Sequence, residues 1–275
     1  MNNLELEMTK ILKNLKENFG VTGVKAEFEA EGVRIEELMR LKEIAMVSGV
    51  ELTLKIGGCE AIRDIHDARN LGVQSLVAPM VESSFALKKY INSIQTFFPK
   101  DESSRIQFLI NIETIQAFQN LEEIVESSYF DALDGIVIGR GDLTESIGFE
   151  RNQVNSDKVF QISVSILEKV KEKGKSAFIG GGVGIDSLEF LRKIPKGLLD
   201  GFETRKVCFA CPDALNQDTA EEGIEGALKF ELLWLSNKSI YYRAISLEDQ
   251  NRIDTLSKKL PKTNVVEIRK KTQAC

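Results

Sequence analysis

Two carboxylates stand where apolar stretches of this sequence end, and their types and spacing suit a metal ion. Glu113 ends the run LINIE, and Asp142 ends the run IVIGRGD. If both runs form neighbouring parallel strands, which lie about 4.8 Å apart, the two carboxylates can share one hard cation. Two carboxylates completed by water and substrate oxygens are a usual environment for Mg²⁺. The alternative is that each carboxylate caps the helix after its strand, since acidic side chains favour helix N-termini.

Polar residues also stand at the ends of other β-rich runs. They are Glu27, Glu29, Lys55, Glu82, Glu203 and Arg205. An open parallel sheet gathers its site at one switch point, whereas a closed barrel brings every strand end to one mouth. The first run is not followed by G-x-G-x-x-G, the mark of a dinucleotide-binding sheet. The spread of polar strand ends therefore favours a barrel.

The β-rich runs alternate with helical patterns along the chain. Predicted strands cover 24–29, 52–56, 75–80, 106–112, 135–138, 176–179 and 198–202, and predicted helices cover 35–47, 60–70, 84–97, 115–125, 157–172 and 187–194. Repeated strand–helix alternation is typical of parallel strands joined by crossover helices. The sequence thus predicts the α/β class and a TIM (β/α)8-type barrel, of which an eighth strand is not legible.

Both ends of the chain predict helices outside the barrel strands. We expect a single domain over 1–275, with an N-terminal helix in 1–22, the barrel in 23–209 and a C-terminal helical extension in 210–275. The extension contains a Leu- and Phe-rich helix at 219–234, and Ser246 with Asp249 forms a capping box that opens another helix. The basic residues between Lys258 and Lys271 indicate either a docking tail that contacts a second subunit or a solvated end.

Composition narrows the class of protein. The 275 residues are 43% hydrophobic and 28% charged, with a net charge of −6. An acidic balance argues against nucleic acid or an anionic membrane as a partner. No apolar run reaches the roughly 18 residues that span a bilayer, and the first residues lack the pattern of a secretory signal. Four cysteines are too few for a disulfide scaffold, so we expect a cytoplasmic, globular protein.

Three motifs resemble one protein family. The segments VAPMVES (77–83), NIET (111–114) and IGRGDLTESIG (138–148) are similar, in this order, to the HpcH/HpaI aldolase and citrate lyase beta-subunit family. The resemblance runs from about Val24 to Phe209. It implies a pyruvate-binding TIM barrel, commonly oligomeric, that makes or breaks carbon–carbon bonds beside a carbonyl through a metal-stabilised enolate. It also implies that Glu113 and Asp142 hold the metal.

Lys55 departs from the family pattern, because the family usually has Arg at this strand end. Lysine keeps the positive charge but loses the bidentate fork of a guanidinium. Three roles stay open. Lys55 can bind the substrate oxyanion as a point charge, form a Schiff base with a carbonyl, or serve only as a salt-bridge partner of Glu27 or Glu29.

The catalytic histidine of the family's aldolases has no clear counterpart. The only histidine in the chain, His66, lies inside a predicted helix. Glu27, Glu29 and Glu82 are better placed to move protons, and crowding among carboxylates can raise a carboxyl pKa towards neutrality.

Further candidates could bind an anionic part of the substrate. Arg140 stands between two glycines where the family more often has Pro, and it is either an anion contact or a loop arginine paired with a carboxylate. Gly141 lets backbone approach a ligand closely, and Arg205 could bind a carboxylate or phosphate on the same rim.

The residues and the resemblance together predict an aldolase. We expect a Mg²⁺- or Mn²⁺-dependent carbon–carbon lyase that acts on a small 2-keto acid or a related hydroxy acid, in a homo-oligomer. One alternative is a lyase for a CoA thioester of the citrate or malyl type. The other is a barrel that keeps the metal without turnover and acts as a binding subunit.

Overall fold

The computed structural model describes residues 1–216, 218–261 and 264–266. They divide into two compact units, Met1–Glu231 and Leu232–Cys275. Lys262, Arg269, Lys270 and Lys271 of the predicted basic tail lie outside the described residues. None of the described helices combines the length and the apolar character that crossing a bilayer requires.

The first unit contains a closed barrel, in which the described strands pair in chain order. The strands are β1 (Val21–Glu27), β2 (Glu51–Lys55), β3 (Ser75–Ala78), β4 (Gln107–Ile112), β5 (Gly135–Gly139), β6 (Ser176–Gly180), β7 (Gly201–Glu203) and β8 (Val207–Ala210). Strands β1 to β7 run parallel to one another. The predicted α/β class and TIM-type barrel are therefore confirmed.

The eighth strand differs from the rest of the barrel. Strand β8 pairs antiparallel with both β7 and β1, so it closes the barrel as the return arm of a hairpin. It was not legible in the sequence because it has four residues and follows a short turn instead of a crossover helix. The preceding strand begins at Gly201, later than the predicted start at Leu198.

Helices surround the barrel strands and continue beyond them. They are α1 (Asn3–Asn18), α2 (Ile35–Ser48), α3 (Ile62–Leu71), α4 (Ser84–Phe97), α5 (Lys100–Ser103), α6 (Ile115–Gln119), α7 (Leu121–Val125), α8 (Arg140–Ser146), α9 (Asp157–Glu172), α10 (Leu188–Lys193) and α11 (Ala220–Lys259). The predicted break between two C-terminal helices is wrong, since α11 runs through Ser246 without interruption. The stretch between Trp234 and Ser246 holds neither Gly nor Pro to stop it.

Strand alternation decides which side chains enter the barrel. On β2, Leu52 and Leu54 are buried on the side of the helices, so Thr53 and Lys55 point to the interior. Apolar side chains of Val77, Leu109 and Val137 form a layer inside the barrel, with Phe178 packed against them. This layer closes the floor beneath the polar strand ends.

The second unit begins within α11. Several of its apolar side chains are more than half exposed, among them those of Leu232, Leu235, Ile240, Leu247 and Ile253. Apolar exposure on this scale is unusual for a helix surface in water.

Candidate functional site

A cavity of about 410 Å³ lies at the carboxyl ends of the parallel strands. Charged residues dominate its lining: Lys25, Glu27, Lys55, Glu113, Asp142, Arg151, Glu203, Arg205 and Glu231. The neutral lining includes Asn111, Gly141 and the loop residues Gly181, Gly182 and Val183. The barrel therefore collects most of the polar residues that the sequence placed at separate strand ends.

Glu113 is the most firmly held carboxylate of this cavity. Its side chain is buried; Oε1 accepts the Met80 backbone N–H at 2.9 Å, and Oε2 accepts Asn111 Nδ2 at 2.6 Å and Lys55 Nζ at 3.2 Å. Met80 has a positive φ of 51°, a strained conformation for a residue with a side chain. Gly139 on β5 leaves room for the Glu113 side chain, because a Cβ at this position would lie 2.7 Å from Glu113 Cβ.

Asp142 reaches the same cavity from the next strand. It lies in the first turn of α8, which starts directly after β5, and its side chain is 39% exposed. Its Oδ1 lies 3.9 Å from Arg151 Nη2. Neither carboxylate is an N-cap, because Thr114 caps α6 and no side chain caps α8, but Asp142 lies in the first turn of α8, where an acidic side chain is favourable.

Lys55 lies between two carboxylates. Its Nζ is 2.9 Å from Glu29 Oε2 and 3.2 Å from Glu113 Oε2. Burial would lower the pKa of Lys55, but the charges of Glu113, Glu29 and Glu27 outweigh burial and raise it above 10.5. Lys55 is therefore an ammonium at neutral pH, which suits an ion pair or an oxyanion contact and disfavours Schiff-base chemistry.

Lys25 was missed as a site residue, although it lines the cavity. Its ammonium contacts Glu203 and lies 3.0 Å from Glu27 Oε1. Burial opposes the charge on Lys25, but Glu203 and Glu27 hold its pKa well above the ordinary value. The signal was the spacing, because Lys25 and Glu27 are two apart on β1 and so share the inner face.

The expectation of a raised carboxyl pKa is wrong for Glu27. Burial alone would raise the pKa of Glu27, but Lys25 and Lys55 outweigh burial and lower it. The reason is the register: Glu27 on β1 pairs with Lys55 on β2. The cluster therefore alternates cations with carboxylates and does not crowd carboxylates together.

The other predicted residues take different places. Arg205 lines the cavity from the β7–β8 turn, and its Nε donates to Glu31 Oε1 at 3.1 Å. Glu82 is not among the lining residues, and its Oε1 accepts the Thr114 hydroxyl at 2.6 Å. His66 lies in α3 with its ring 4.7 Å from that of Phe97, which indicates packing.

Arg140 is also absent from the cavity lining, because its side chain is completely buried at the start of α8. Its guanidinium donates to Asn155 Oδ1 at 2.7 Å, Gly181 O at 3.1 Å, Ser187 Oγ at 3.2 Å and Gly180 O at 3.4 Å. The ring of Phe190 stacks 4.6 Å from the guanidinium carbon. The structure thus places Arg140 behind the cavity wall, where neither the anion contact nor the pairing with a carboxylate is formed.

The donor set around Glu113 and Asp142 fits a hydrated hard cation. Among the described residues, no group of three or more His, Cys, Asp or Glu side chains is arranged to hold a metal ion. Mg²⁺ needs only one or two carboxylates, because water and substrate oxygens complete its shell. Asn111 Oδ1, a buried oxygen of the same lining, finds no hydrogen-bond partner within the described chain. An oxygen of this kind suits such an ion or its water.

Comparison with known proteins decides the family. The model of the HpcH/HpaI aldolase/citrate lyase family matches residues 34–196, more than half of the chain. The chain belongs to the HpcH/HpaI aldolase/citrate lyase family. Glu113 and Asp142 both lie inside the matched segment of this HpcH/HpaI protein, whereas Lys25 and Arg205 lie outside it.

Relatives of this HpcH/HpaI protein are distant. The 4-hydroxy-2-oxovalerate aldolase of Rhodococcus jostii is 26% identical over 127 residues, which cover 39% of this chain and 48% of that protein. The 2-keto-3-deoxy-L-rhamnonate aldolase of Salmonella paratyphi B is 23% identical over 161 residues, which cover 50% of this chain and 58% of that protein. The chain thus spans about half the length of these curated relatives.

The fold of the family is also found among solved structures. The HpcH/HpaI aldolase from Desulfitobacterium hafniense superposes with a TM-score of 0.57 at 13% identity, covering 72% of this chain and 81% of that one. At this identity the likeness concerns the fold alone.

Proposed function

We propose that this protein is a divalent-metal-dependent carbon–carbon lyase, an aldolase that acts on a 2-keto acid or a related hydroxy acid through an enolate. One observation carries the proposal: Glu113 and Asp142 line one cavity at the mouth of the barrel, and the Lys55 ammonium lies against Glu113. Membership of a family of aldolases and citrate lyases supports it.

Two carboxylates and one ammonium have the central roles in this proposal. Glu113 and Asp142 hold Mg²⁺ or Mn²⁺, which, when bound, stabilises negative charge developing on a keto oxygen. Lys55 presents a fixed positive charge to the substrate carboxylate or enolate oxygen, and burial in the barrel strengthens that interaction. Arg205, half-exposed on the rim, orients a distal anionic group, and Gly141 leaves room beside Asp142.

Glu29 is the carboxylate that we propose to move protons. It is not among the residues that line the cavity, but it pairs with Lys55, which is, and its side chain is 26% exposed, so it can exchange protons with solvent. Glu27 is less suited, because Lys25 and Lys55 lower its pKa and weaken it as a base. Glu82 accepts the Thr114 hydroxyl and, unlike Glu29, makes no ion pair with a lining residue within the described chain, so the proposal gives it no step.

Exchange of the methyl protons of pyruvate for deuterium tests this function without knowledge of the acceptor. The exchange is followed by NMR with Mg²⁺ and with EDTA. We expect Mg²⁺-dependent exchange that falls by at least about 100-fold in Glu113→Gln and Asp142→Asn, since outer-shell changes alone cost about 10–100-fold. Tyr90→Phe, which removes a buried hydroxyl bonded to Leu76 O, is the control with normal exchange. A folded, Mg²⁺-loaded protein without exchange would contradict the pyruvate-enolate proposal.

Assembly and location belong to the same proposal. We infer a cytoplasmic homo-oligomer that works on a small molecule, without nucleic acid or membrane as a partner. Exposed apolar side chains in the 232–259 segment support self-association. Net negative charge supports the absence of polyanionic partners, and the free thiols of Cys59, Cys208 and Cys211 suit a reducing compartment.

A further inference from the structure

Arg140 is a completely buried cation, on which the negative charge of Asp186 acts without a direct ion pair. Among the described residues no acidic side chain forms an ion pair with its guanidinium, and its hydrogen bonds go to two carbonyls, an amide and a hydroxyl. Burying a cation in this way is costly, which indicates that the four bonds it makes serve a purpose.

The four acceptors belong to segments that build the cavity wall. Gly180 and Gly181 begin the loop after β6, and Ser187 closes it, because its hydroxyl donates to Gly182 O at 3.2 Å and accepts the Gly184 N–H at 3.3 Å. Asn155 follows Val154, which is another lining residue. Arg140 therefore joins the start of α8 to the loop 180–187 and to the segment 151–155.

The loop packs closely on the turn that carries Asp142. Gly181 and Gly182 both have positive φ angles, 78° and 64°. A Cβ at Gly181 would lie 2.7 Å from the backbone nitrogen of Arg140, so the loop rests directly on the first turn of α8. Any movement of this loop would shift the turn on which Asp142 stands.

We propose that Arg140 is a positioning residue that fixes Asp142 and the loop 180–187 in one arrangement around the cavity, without touching substrate. This inference rests on the proposed metal site. It explains why an arginine stands at a position that does not line the cavity, although Gly139, Gly141 and Asp142 on either side of it do. Outer-shell partners of this kind hold first-shell ligands in their binding orientation.

Binding of Mn²⁺ alone, followed by electron paramagnetic resonance without substrate, tests this role. We expect Arg140→Met to weaken Mn²⁺ binding by about 10-fold or more at temperatures where the variant is folded. Tyr90→Phe removes a comparable buried hydrogen bond away from the cavity, and we expect unchanged Mn²⁺ affinity for it. If Arg140→Met does not fold, Asn155→Ala removes one acceptor only and should weaken binding in the same direction to a smaller extent.

The outcomes separate the inference from the function on which it rests. A lower melting temperature with wild-type Mn²⁺ affinity in the folded variant would mean a merely structural role and would overturn this inference alone. A wild-type protein that binds no Mn²⁺ would overturn the proposed metal site and this inference with it. Weaker binding in Arg140→Met and normal binding in Tyr90→Phe would support the positioning role.

Discussion

At the scale of single residues, the candidate site is organised by pairs of opposite charge. Lys55 lies between Glu29 and Glu113, and Lys25 lies between Glu27 and Glu203. Removing one member of a buried pair is more damaging than removing both, because the remaining charge has neither water nor a partner. This asymmetry makes the cations as informative to mutate as the carboxylates.

Replacing Lys55 with Met should destabilise the fold strongly. The variant leaves Glu113 buried without its cation, so we expect the free energy of unfolding to fall by about 3–5 kcal/mol, measured by urea denaturation. Lys89→Met is the matched control, since Lys89 makes a similar ion pair with Glu60 at 3.0 Å on the surface. Surface ion pairs contribute little to stability. Equal losses of unfolding free energy in the two variants would contradict the buried-pair interpretation.

Glu27 should make stability depend on pH in the acid range. Its pKa is held below 4.5 in the folded protein, so ionised Glu27 stabilises the fold above pH 4.5, and this contribution is lost as the pH falls through the lowered pKa. We therefore expect the difference in unfolding free energy between wild type and Glu27→Gln to grow as the pH rises through the lowered pKa and to level off above about pH 4.5. A difference that stays constant over this range would show that Lys25 and Lys55 do not act on Glu27.

At the scale of elements, the junction between β5 and α8 has little tolerance for added volume. Gly139 ends β5 beside Glu113, Arg140 and Asp142 follow on α8, and Gly181 of the next loop packs against the same turn. A strand end, a helix start and a loop thus meet within a few residues. Substitutions that add volume here should affect both packing and the carboxylates.

Gly139→Ala should show this effect. The added Cβ would overlap the Glu113 side chain, so we expect a loss of about 1–3 kcal/mol in stability, measured by thermal or urea denaturation, together with weaker Mn²⁺ binding. Gly58→Ala is the matched control, because nothing lies within 4 Å of a Cβ at Gly58. Similar effects of the two substitutions would mean that the close approach to Glu113 is unimportant.

The sequence predicted elements better than it predicted contacts. Helices such as α4 and α9 were predicted with their observed bounds, because their apolar periodicity and the breaks around them are local signals. Strand β8 was missed because its pairing depends on distant parts of the chain. The continuous α11 was missed because Ser246 and Asp249 resemble a helix start, although no Gly or Pro interrupts the residues before them. A reversed strand of four residues carries no local sign of its direction.

The sequence predicted only part of the candidate site, again because local signals do not show which side chains meet. The shared cavity of Glu113, Asp142 and Lys55 followed from strand ends, which a barrel must gather at one mouth. The buried position of Arg140 and the ion pairs of Lys25 could not follow, because they depend on which side chains meet across the barrel. The lowered pKa of Glu27 is a consequence of the same unseen neighbours.

At the scale of the whole molecule, the two compact units differ in how many of their apolar side chains are exposed. The unit Met1–Glu231 buries most of its large apolar side chains in and around the barrel, including Met8, Leu12 and Leu15 of α1, although Met46 and Phe85 are exposed. The unit Leu232–Cys275 leaves Leu232, Ile240 and others largely exposed. Covering that surface would remove apolar area from water, which favours association.

Association of the second unit can be tested by light scattering coupled to size-exclusion chromatography. We expect wild type to form an oligomer and the double variant Leu232→Ser/Leu235→Ser to shift towards monomer, because both side chains are more than half exposed. Asn251→Ser, a polar change on the same helix, should leave the mass unchanged. A monomeric wild type would contradict the proposed self-association.

The position of the reversed last strand also determines how late in synthesis the barrel can close. On the edge away from β2, residues 21–24 of β1 pair with residues 207–209 of β8, so closure has to wait for the most distant pairing in the barrel. On a ribosome that adds about 5–20 residues per second, the first strand edge stays open for roughly 10–40 s. The hairpin of β7 and β8 is local and forms quickly once synthesised. Once this hairpin has left the ribosome, the nascent chain can pair the open edge of β1 with β8.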